Sequence, residues 1–277
     1  MRRLFPAYPG PAASVLSFLL VALAVLCAAT LPASAKPAPK TMTNVTLERT
    51  SPYETETGAW VTFKGTAPKK VRGKRIALQS RVPGSTTWAT VARTKVSSSG
   101  GFAVQGRAVG TGVGFWRVIS GPVGKKKPTI HVSKAVSARI FTWTYLADLE
   151  PVSTGSFSST GSAAVAGTTY PFSAILFVSR NTKVSSAEYN LGYKCKTFEA
   201  TVGLRDDTQT GVRAKMLTGV DSAMVDHGQF QPGMAKTIRQ DVTSGFRMKI
   251  EAQYIAPTDR YGDARAVFGN ARILCTA

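Results

Sequence analysis

Two adjacent aspartates, Asp206 and Asp207, are the residues whose types could most directly do chemistry in this chain. Paired carboxylates act as general acid and base, and they also bind calcium. The two lie in the segment CKTFEATVGLRDDTQTG, residues 195–211, after an alternating run that predicts a strand. They are therefore expected in a turn. That turn lacks the alternating oxygen spacing of an EF-hand loop, and acidic turn residues usually bond to solvent or to their own backbone. The pattern favours a structural turn over a catalytic pair.

The other motifs give no positive support for catalysis. His131 and His227 are the two histidines of the chain, and because triad partners need not be neighbours in sequence, a hidden triad stays an alternative. The glycine cluster GTGVGFW, residues 110–116, lacks the last glycine of a dinucleotide fingerprint and precedes a strand, so it predicts a hairpin turn. No G-x-S-x-G, H-E-x-x-H or P-loop pattern occurs. We expect a non-catalytic protein without a cofactor, and structural calcium is left open.

The first 35 residues predict an exported protein. Arg2 and Arg3 precede the apolar run 14–31, and Ala-Ser-Ala at 33–35 matches a signal-peptidase site. The alternative is an uncleaved membrane anchor, which needs about 20 apolar residues, and the run is only just long enough. We expect residues 1–35 to be removed as a signal peptide, which leaves a secreted or envelope-associated chain without a membrane span.

Two cysteines, Cys195 and Cys275, lie beyond the predicted signal peptide. Cysteines in an oxidising compartment usually pair, and two of them allow only one pairing, so a disulfide is expected. A redox-active or metal-binding pair is the alternative. It is disfavoured because the C-x-x-C spacing and neighbouring histidines are lacking.

Positive charge is concentrated in residues 36–142. They hold 19 Lys and Arg against three Glu, a net charge of +16, whereas residues 143–277 have a net charge of only +2. Such an excess repels itself unless an anion lies nearby, although most lysine runs are simply solvated. Outside the cell the candidate partners are anionic wall polymers, acidic polysaccharides and lipid headgroups, and export argues against nucleic acid as the natural partner. The candidate polyanion-binding residues are Lys69, Lys70, Arg72, Lys74 and Arg75 in one cluster and Lys125, Lys126 and Lys127 in another.

Short alternating segments separated by turn residues predict an all-β chain. Residues 43–142 hold seven candidate strands at a spacing typical of an antiparallel sandwich. Residues 246–254 alternate between apolar and polar over nine positions, which is typical of a half-buried strand, and 172–179 is apolar on both faces, which predicts a central strand. We expect two antiparallel β-sandwich domains, residues 43–142 and 143–277, after a Pro/Lys linker at residues 36–42.

The second half resembles the NPCBM domain, a carbohydrate-binding module found beside glycoside hydrolase family 98 catalytic domains. An F-x-A-x-V-G strand occurs at residues 198–203, before the acidic turn of Asp206 and Asp207. A further turn at Asp221 and a D-V-T segment at residues 241–243 follow in the family's order. The closing strand departs from the family pattern, because Phe268 stands where a tryptophan is common.

This resemblance implies a galactose-binding-like jelly roll that recognises sugar through loops at one end. Residues 43–142 more loosely resemble the bacterial Ig-like sandwiches of secreted actinobacterial proteins, through Trp88 and the strand at 115–120. Sugar recognition needs an aromatic platform for CH faces and planar polar groups for hydroxyls. The candidate carbohydrate-binding residues are Tyr261, Arg260 and Asp259, followed by Asp206 and Asp207.

Two functions are therefore compared. The leading hypothesis is a secreted, non-catalytic protein that binds polysaccharide or other glycans of the extracellular space or cell envelope through residues 143–277. The alternative is a basic, envelope-associated scaffolding protein that binds anionic wall polymers through residues 43–142. Salt separates the two, because polyanion binding weakens steeply with ionic strength and neutral-sugar binding does not.

Overall fold

The computed structural model describes residues 39–124, 128–155, 158–255 and 262–277, and within these ranges the chain forms strands and two short 3-10 helices but no α-helix. The 3-10 helices are Lys69–Val71 and Leu146–Asp148. The all-β fold class with packed sandwiches is confirmed. No helix among the described residues is long and apolar enough to cross a membrane.

The first sandwich packs two sheets face to face. One contains the order β6-β5-β8-β10, extended by β9 and β1, and the other has the order β2-β4-β7. Two of its pairings, β1 with β9 and β3 with β10, are parallel, so this sandwich is not purely antiparallel. Its strands are β1 (Lys40–Val45), β2 (Glu48–Arg49), β3 (Glu54–Glu56), β4 (Trp60–Thr66), β5 (Arg75–Arg81), β6 (Ala89–Lys95), β7 (Gly101–Arg107), β8 (Gly112–Ser120), β9 (Thr129–Ser133) and β10 (Val136–Tyr145).

The second sandwich also consists of two sheets. One has the order β12-β13-β20-β15-β18, and the other β11-β14-β19-β16-β17. The apolar segment at 172–179 lies in β13 between β12 and β20, which confirms its predicted central place. The strands are β11 (Ser153–Thr154), β12 (Ser158–Val165), β13 (Thr168–Ser179), β14 (Val184–Asn190), β15 (Cys195–Leu204), β16 (Arg213–Val220), β17 (Ala223–Phe230), β18 (Ala235–Asp241), β19 (Arg247–Ile255) and β20 (Asp263–Cys275).

Each sandwich has its own hydrophobic core, formed by the inward residues of alternating strands. Phe63 and Trp116 are buried in the first, with ring centroids 5.6 Å apart, and Phe198 and Phe268 are fully buried in the second. The predicted disulfide between Cys195 and Cys275 is present, and it joins paired positions of β15 and β20.

Strand β10 belongs to both sandwiches. Its residues 136–140 pair with β8, and its residues 142–145 pair with β20. The predicted domain boundary at residues 142 and 143 therefore lies inside a continuous strand, and the boundary itself stays a prediction. Likewise β1 begins at Lys40, within the segment interpreted as a linker.

The last of the seven candidate strands in the first half, expected at residues 129–141, is instead two strands, β9 and β10. The break coincides with a side-chain hydrogen bond, in which the backbone N–H of Val118 donates to the hydroxyl of Ser133 at 2.9 Å. A serine hydroxyl here takes the place of a ladder carbonyl, which lets the chain step out of register along β8.

Candidate functional site

A groove of about 270 Å³ lies on the outer face of the sheet in which β10, β20, β15 and β18 are neighbours. In β15, Phe198 points into the core, so Glu199 and Thr201 point outward by alternation. We call this the aromatic groove, and its principal lining residues are Tyr145, Tyr170, Glu199, Thr201, Asn270 and Arg272.

Tyr145, which lines the aromatic groove, stacks against the neighbouring ring of Phe172. Tyr145 and Phe172 have centroids 4.4 Å apart and planes 18° apart, and Phe172 is 41% exposed. Nearby, the guanidinium of Arg272 lies 4.4 Å from the centre of the Trp143 ring. A large exposed apolar ring supported by a second ring is a rigid surface on which an amphipathic ligand can pack.

A β-bulge shapes the floor of the groove. Asn270 has φ of +46°, and the register between β15 and β20 shifts between Glu199 and Thr201. The Asn270 side-chain oxygen accepts a hydrogen bond from the backbone N–H of Phe172 at 3.2 Å. At the preceding residue, a Cβ on Gly269 would lie 2.6 Å from the Tyr170 ring, so only glycine allows that ring to cover the strand.

The charged groups of the groove are paired with one another. One carboxylate oxygen of Glu199 accepts from the guanidinium of Arg272 at 2.9 and 3.2 Å, and the other accepts from Arg239. Because both oxygens are bound by guanidinium groups, the plane of the Glu199 carboxyl group is fixed. The groove thus offers planar hydrogen-bonding groups beside aromatic rings, and not an acid positioned for proton transfer.

Asp206 and Asp207 lie elsewhere, in the loop after β15, as the sequence predicted. The carboxylate of Asp207 is bound by Arg205 and, at 2.9 Å, by Arg265. The hydrogen bonds from Arg205 are the largest cause that lowers the pKa of Asp207 below its ordinary value. Both arginines also line a second, larger cleft of about 470 Å³ with Phe177. Asp207 therefore positions the charged wall of that cleft.

Asp206 has a different role, because it anchors the hairpin between β12 and β13. One of its carboxylate oxygens accepts from the backbone N–H of Gly167 at 2.9 Å, and its own N–H donates to the carbonyl of Ala164 at 3.0 Å. The two aspartates thus hold separate partners and do not form a joint acid/base pair. Within the described part of the chain, no group of three His, Cys, Asp or Glu side chains is placed to hold a metal ion.

The remaining sequence candidates divide by position. Tyr261, Arg260, Asp259, Lys125, Lys126 and Lys127 lie outside the described residues, as does the predicted signal peptide. Lys69 and Lys70 are exposed in the 3-10 helix before β5, Arg72 and Lys74 are exposed in the loop that follows it, and Arg75 is exposed at the start of β5. Among the described candidates, Asp206 and Asp207 follow β15, whereas the basic cluster from Lys69 to Arg75 lies before and at the start of β5.

The aromatic groove was not predicted from the sequence. Its rings come from β10 and β13, and they meet only because β10 pairs with β20 across the predicted domain boundary. One signal was present. Trp143 and Tyr145 alternate within WTY, which places both rings on one face of a strand.

Solved structures of carbohydrate-binding modules resemble this chain. The likeness is to CBM51 modules. The CBM51 module of Clostridium perfringens GH95, in complex with methyl-galactose, is 19% identical with a TM-score of 0.39, and the match covers 48% of this chain and 99% of that chain. The CBM51-2 and INT domains of C. perfringens ZmpB, in complex with GlcNAc, are 14% identical with a TM-score of 0.39, and the match covers 60% of this chain and 38% of that chain. No protein-family model matches this chain, and no curated protein matches it at a significant level. The likeness concerns the fold, and the named sugars are ligands of those proteins.

Proposed function

We propose that this protein binds carbohydrate without converting it, and that the sugar is held in the aromatic groove. The observation that carries the proposal is the stacked Tyr145–Phe172 pair, which stands beside the fixed planar groups of Glu199, Arg272 and Asn270. A pyranose ring has an apolar CH face and a rim of hydroxyls, so it matches one aromatic wall and one polar wall.

The size and exposure of the groove indicate a weak, shape-dependent site. Its volume of about 270 Å³ falls just below the range of typical small-molecule pockets, about 300 to 1,000 Å³, which suits one or two sugar units. Phe172 is already exposed and supported before a ligand arrives, so little side-chain ordering is needed on binding. The same proposal includes three further points. Residues 143–277 form an NPCBM-family domain, the protein is exported, and its ligand is a glycan of the envelope or extracellular space.

A pair of matched variants tests the aromatic wall. Phe172→Ala removes the exposed ring that stacks on Tyr145 of the groove, whereas Phe246→Ala removes a ring of equal exposure, 41%, that packs against Tyr193 with centroids 5.3 Å apart. The full chain is screened on a glycan array, and the sugars retained are measured by calorimetry. Methyl-galactose and GlcNAc, the ligands of the two CBM51 structures, serve as the first soluble probes.

We expect Phe172→Ala to weaken binding about tenfold or more, equivalent to about 1.4 kcal/mol, while Phe246→Ala binds as the unchanged protein does. If Phe246→Ala or Asp207→Asn weakens binding and Phe172→Ala does not, the groove is the wrong site. If no glycan is retained by the unchanged chain, carbohydrate binding itself is refuted.

The alternative function, a basic scaffolding protein at the envelope, rests on the net charge of +16 in residues 36–142. Salt dependence separates it from neutral-sugar binding, since added salt screens the attraction between charged groups and a neutral sugar carries no charge. The chain is used whole in this measurement because β10 is shared by both sandwiches, and cutting at residue 142 would divide that strand.

A further inference from the structure

The outer face of β6, β5 and β8 in the first sandwich carries five cations. Along β5, Ile76 and Leu78 are buried, so Arg75 and Arg81 point to the other side. Paired residues share a face of the sheet, and the register pairs Arg75 with Lys95, Ala77 with Arg93, and Gln79 with Arg117. We call Arg75, Arg81, Arg93, Lys95 and Arg117 the guanidinium face.

Two of these arginines are held in place by aromatic rings. Arg81 lies 4.6 Å from the centre of the Phe115 ring and 5.2 Å from that of Trp88, and Arg117 lies 4.3 Å from that of Trp88. The Arg117 Nε–H also donates to the side-chain oxygen of Gln79 at 2.9 Å. The two guanidinium groups converge on a single indole, so both are oriented before any ligand binds.

This convergence has an electrostatic cost within the free protein. Burial is the main cause that lowers the pKa of Arg117, and the positive charge of Arg81 lowers it further. A like-charged pair fixed on one ring is destabilising unless an anion lies between or beside the two groups.

No carboxylate supplies that anion within the described ranges of the chain. None of the five cations forms an ion pair there, and the three glutamates of this sandwich are placed elsewhere. Glu54 binds Arg139 and Lys196, Glu56 accepts from the indole of Trp143, and Glu48 lies opposite Lys64 on the other sheet.

We propose that the guanidinium face binds an extended anionic glycopolymer through repeated phosphate or sulfate groups. Arg75 and Arg81 are six residues apart on β5, which corresponds to about 20 Å along a strand. That length suits successive charged groups of a chain more than one small anion. Arginine forks bind tetrahedral oxyanions with two hydrogen bonds, and a preset orientation reduces the entropy lost on binding.

The same geometry disfavours nucleic acid as the ligand. Proteins that hold single strands stack bases on free aromatic faces. Here Trp88 is faced by both Arg81 and Arg117, and Phe115 is faced by Arg81, so the rings are already covered by guanidinium groups. Trp88 and Phe115 therefore orient the two arginines and do not stack on a ligand. This site lies on the first sandwich and does not depend on the carbohydrate groove proposed above.

Two double variants with the same loss of charge test the site in the full chain. Arg81→Gln with Arg117→Gln removes the pair on Trp88, and Lys69→Gln with Lys70→Gln removes two exposed lysines of the neighbouring 3-10 helix. Binding of heparin, as the sulfated probe, and of a glycerol-phosphate polymer, as the phosphate probe, is measured between about 50 and 200 mM salt. The two probes separate sulfate from phosphate as the preferred group.

We expect the arginine variant to weaken binding of at least one polymer tenfold or more. The slope of log affinity against log salt should fall by about 1.5, the value for two lost contacts. Arg117→Lys keeps the positive charge but loses the planar guanidinium that can donate two hydrogen bonds to one anion. It should therefore weaken binding with little change in the salt slope. This variant still tests the site if the double arginine variant does not fold. The thermal midpoint of each variant is recorded as a folding control.

Three results would overturn the proposal. The lysine variant could lose as much affinity as the arginine variant, which would make net charge the cause. An oligonucleotide or duplex DNA could bind more tightly than either polymer at equal salt, which would make nucleic acid the partner. Finally, if neither polymer binds even at low salt, the guanidinium face is not a polyanion site. Phe172→Ala should leave polymer binding unchanged, so failure of this site and failure of the carbohydrate groove are distinguishable.

Discussion

Reduction of the Cys195–Cys275 disulfide should strongly lower the free energy of unfolding without changing the folded structure. The two cysteines are paired across β15 and β20 and are 80 residues apart in sequence. In the native state, strand pairing already holds them together, so the bond mainly restricts the unfolded chain. On the chain-entropy model, a closed loop of this length stabilises the fold by about 4 to 5 kcal/mol.

The assay separates the covalent link from the packing of the sulfur atoms. Urea unfolding is compared for the oxidised protein, the same protein under a reductant, and the variant Cys195→Ala with Cys275→Ala. Reduction removes only the link, so it should cost most of the 4 to 5 kcal/mol, which is about 10 to 20 °C in thermal midpoint. The double variant should lose about 1 kcal/mol more, because Cys195 is only 5% exposed within the core.

One result would refute this reasoning. If reduction lowers the free energy of unfolding by less than about 1 kcal/mol while the double variant is strongly destabilised, packing and not loop closure is the main contribution of the cysteines. The slope of unfolding free energy against urea should also rise on reduction, because an unlinked unfolded chain exposes more surface.

Three further predictions concern single residues. Gly203→Ala should lower the free energy of unfolding by about 1 to 3 kcal/mol in urea denaturation, since its Cβ would collide with a backbone oxygen of the turn before β18. Gly121→Ala, where a Cβ meets no described atom within 4 Å, should change it by less than about 0.5 kcal/mol, and equal effects would contradict the collision. Burial is the main cause that lowers the pKa of His131 below 6.5, and the positive charge of Lys70 lowers it further. As the pH falls, the unfolded chain therefore binds a proton at this histidine before the folded chain does. Stability should therefore fall below pH 6.5, and His131→Gln should reduce that slope in unfolding at pH 7.5 and 5.0. Burial raises the pKa of Tyr189 to about 12, so stability should fall by about 2 kcal/mol between pH 10 and pH 12. A slope that is unchanged in Tyr189→Phe would exclude that cause.

Strand identity was predictable because a half-buried strand has a period of two that is visible in a single sequence. Residues 246–254 were expected as an alternating strand and form β19 over Arg247–Ile255 with Met248 and Ile250 fully buried. Register was less predictable. The break between β9 and β10 coincides with a hydrogen bond from the Val118 N–H to the Ser133 hydroxyl, 15 residues away, which no local pattern reveals.

The candidate sites show the same limit more clearly. The acidic turn of Asp206 and Asp207 could be placed from the sequence, but their partners could not, because Gly167 and Arg265 are distant in the chain. Likewise the lysine clusters are visible as local runs of charge, whereas the guanidinium face is spread over three strands and becomes one surface only through their pairing.

The sequence by itself determined the all-β class, the strands and turns, the cysteine pairing and the concentration of positive charge in the first half. These follow from composition and from short-range periodicity, which act between neighbours in the chain. Tertiary structure alone decided which rings and charges meet. Trp143 and Tyr145 reach Arg272 because β10 continues from one sandwich into the other and pairs with β20. Side chains on different strands become neighbours through backbone hydrogen bonds, which every residue can form, proline as an acceptor only, so the strand order is not written in any one segment.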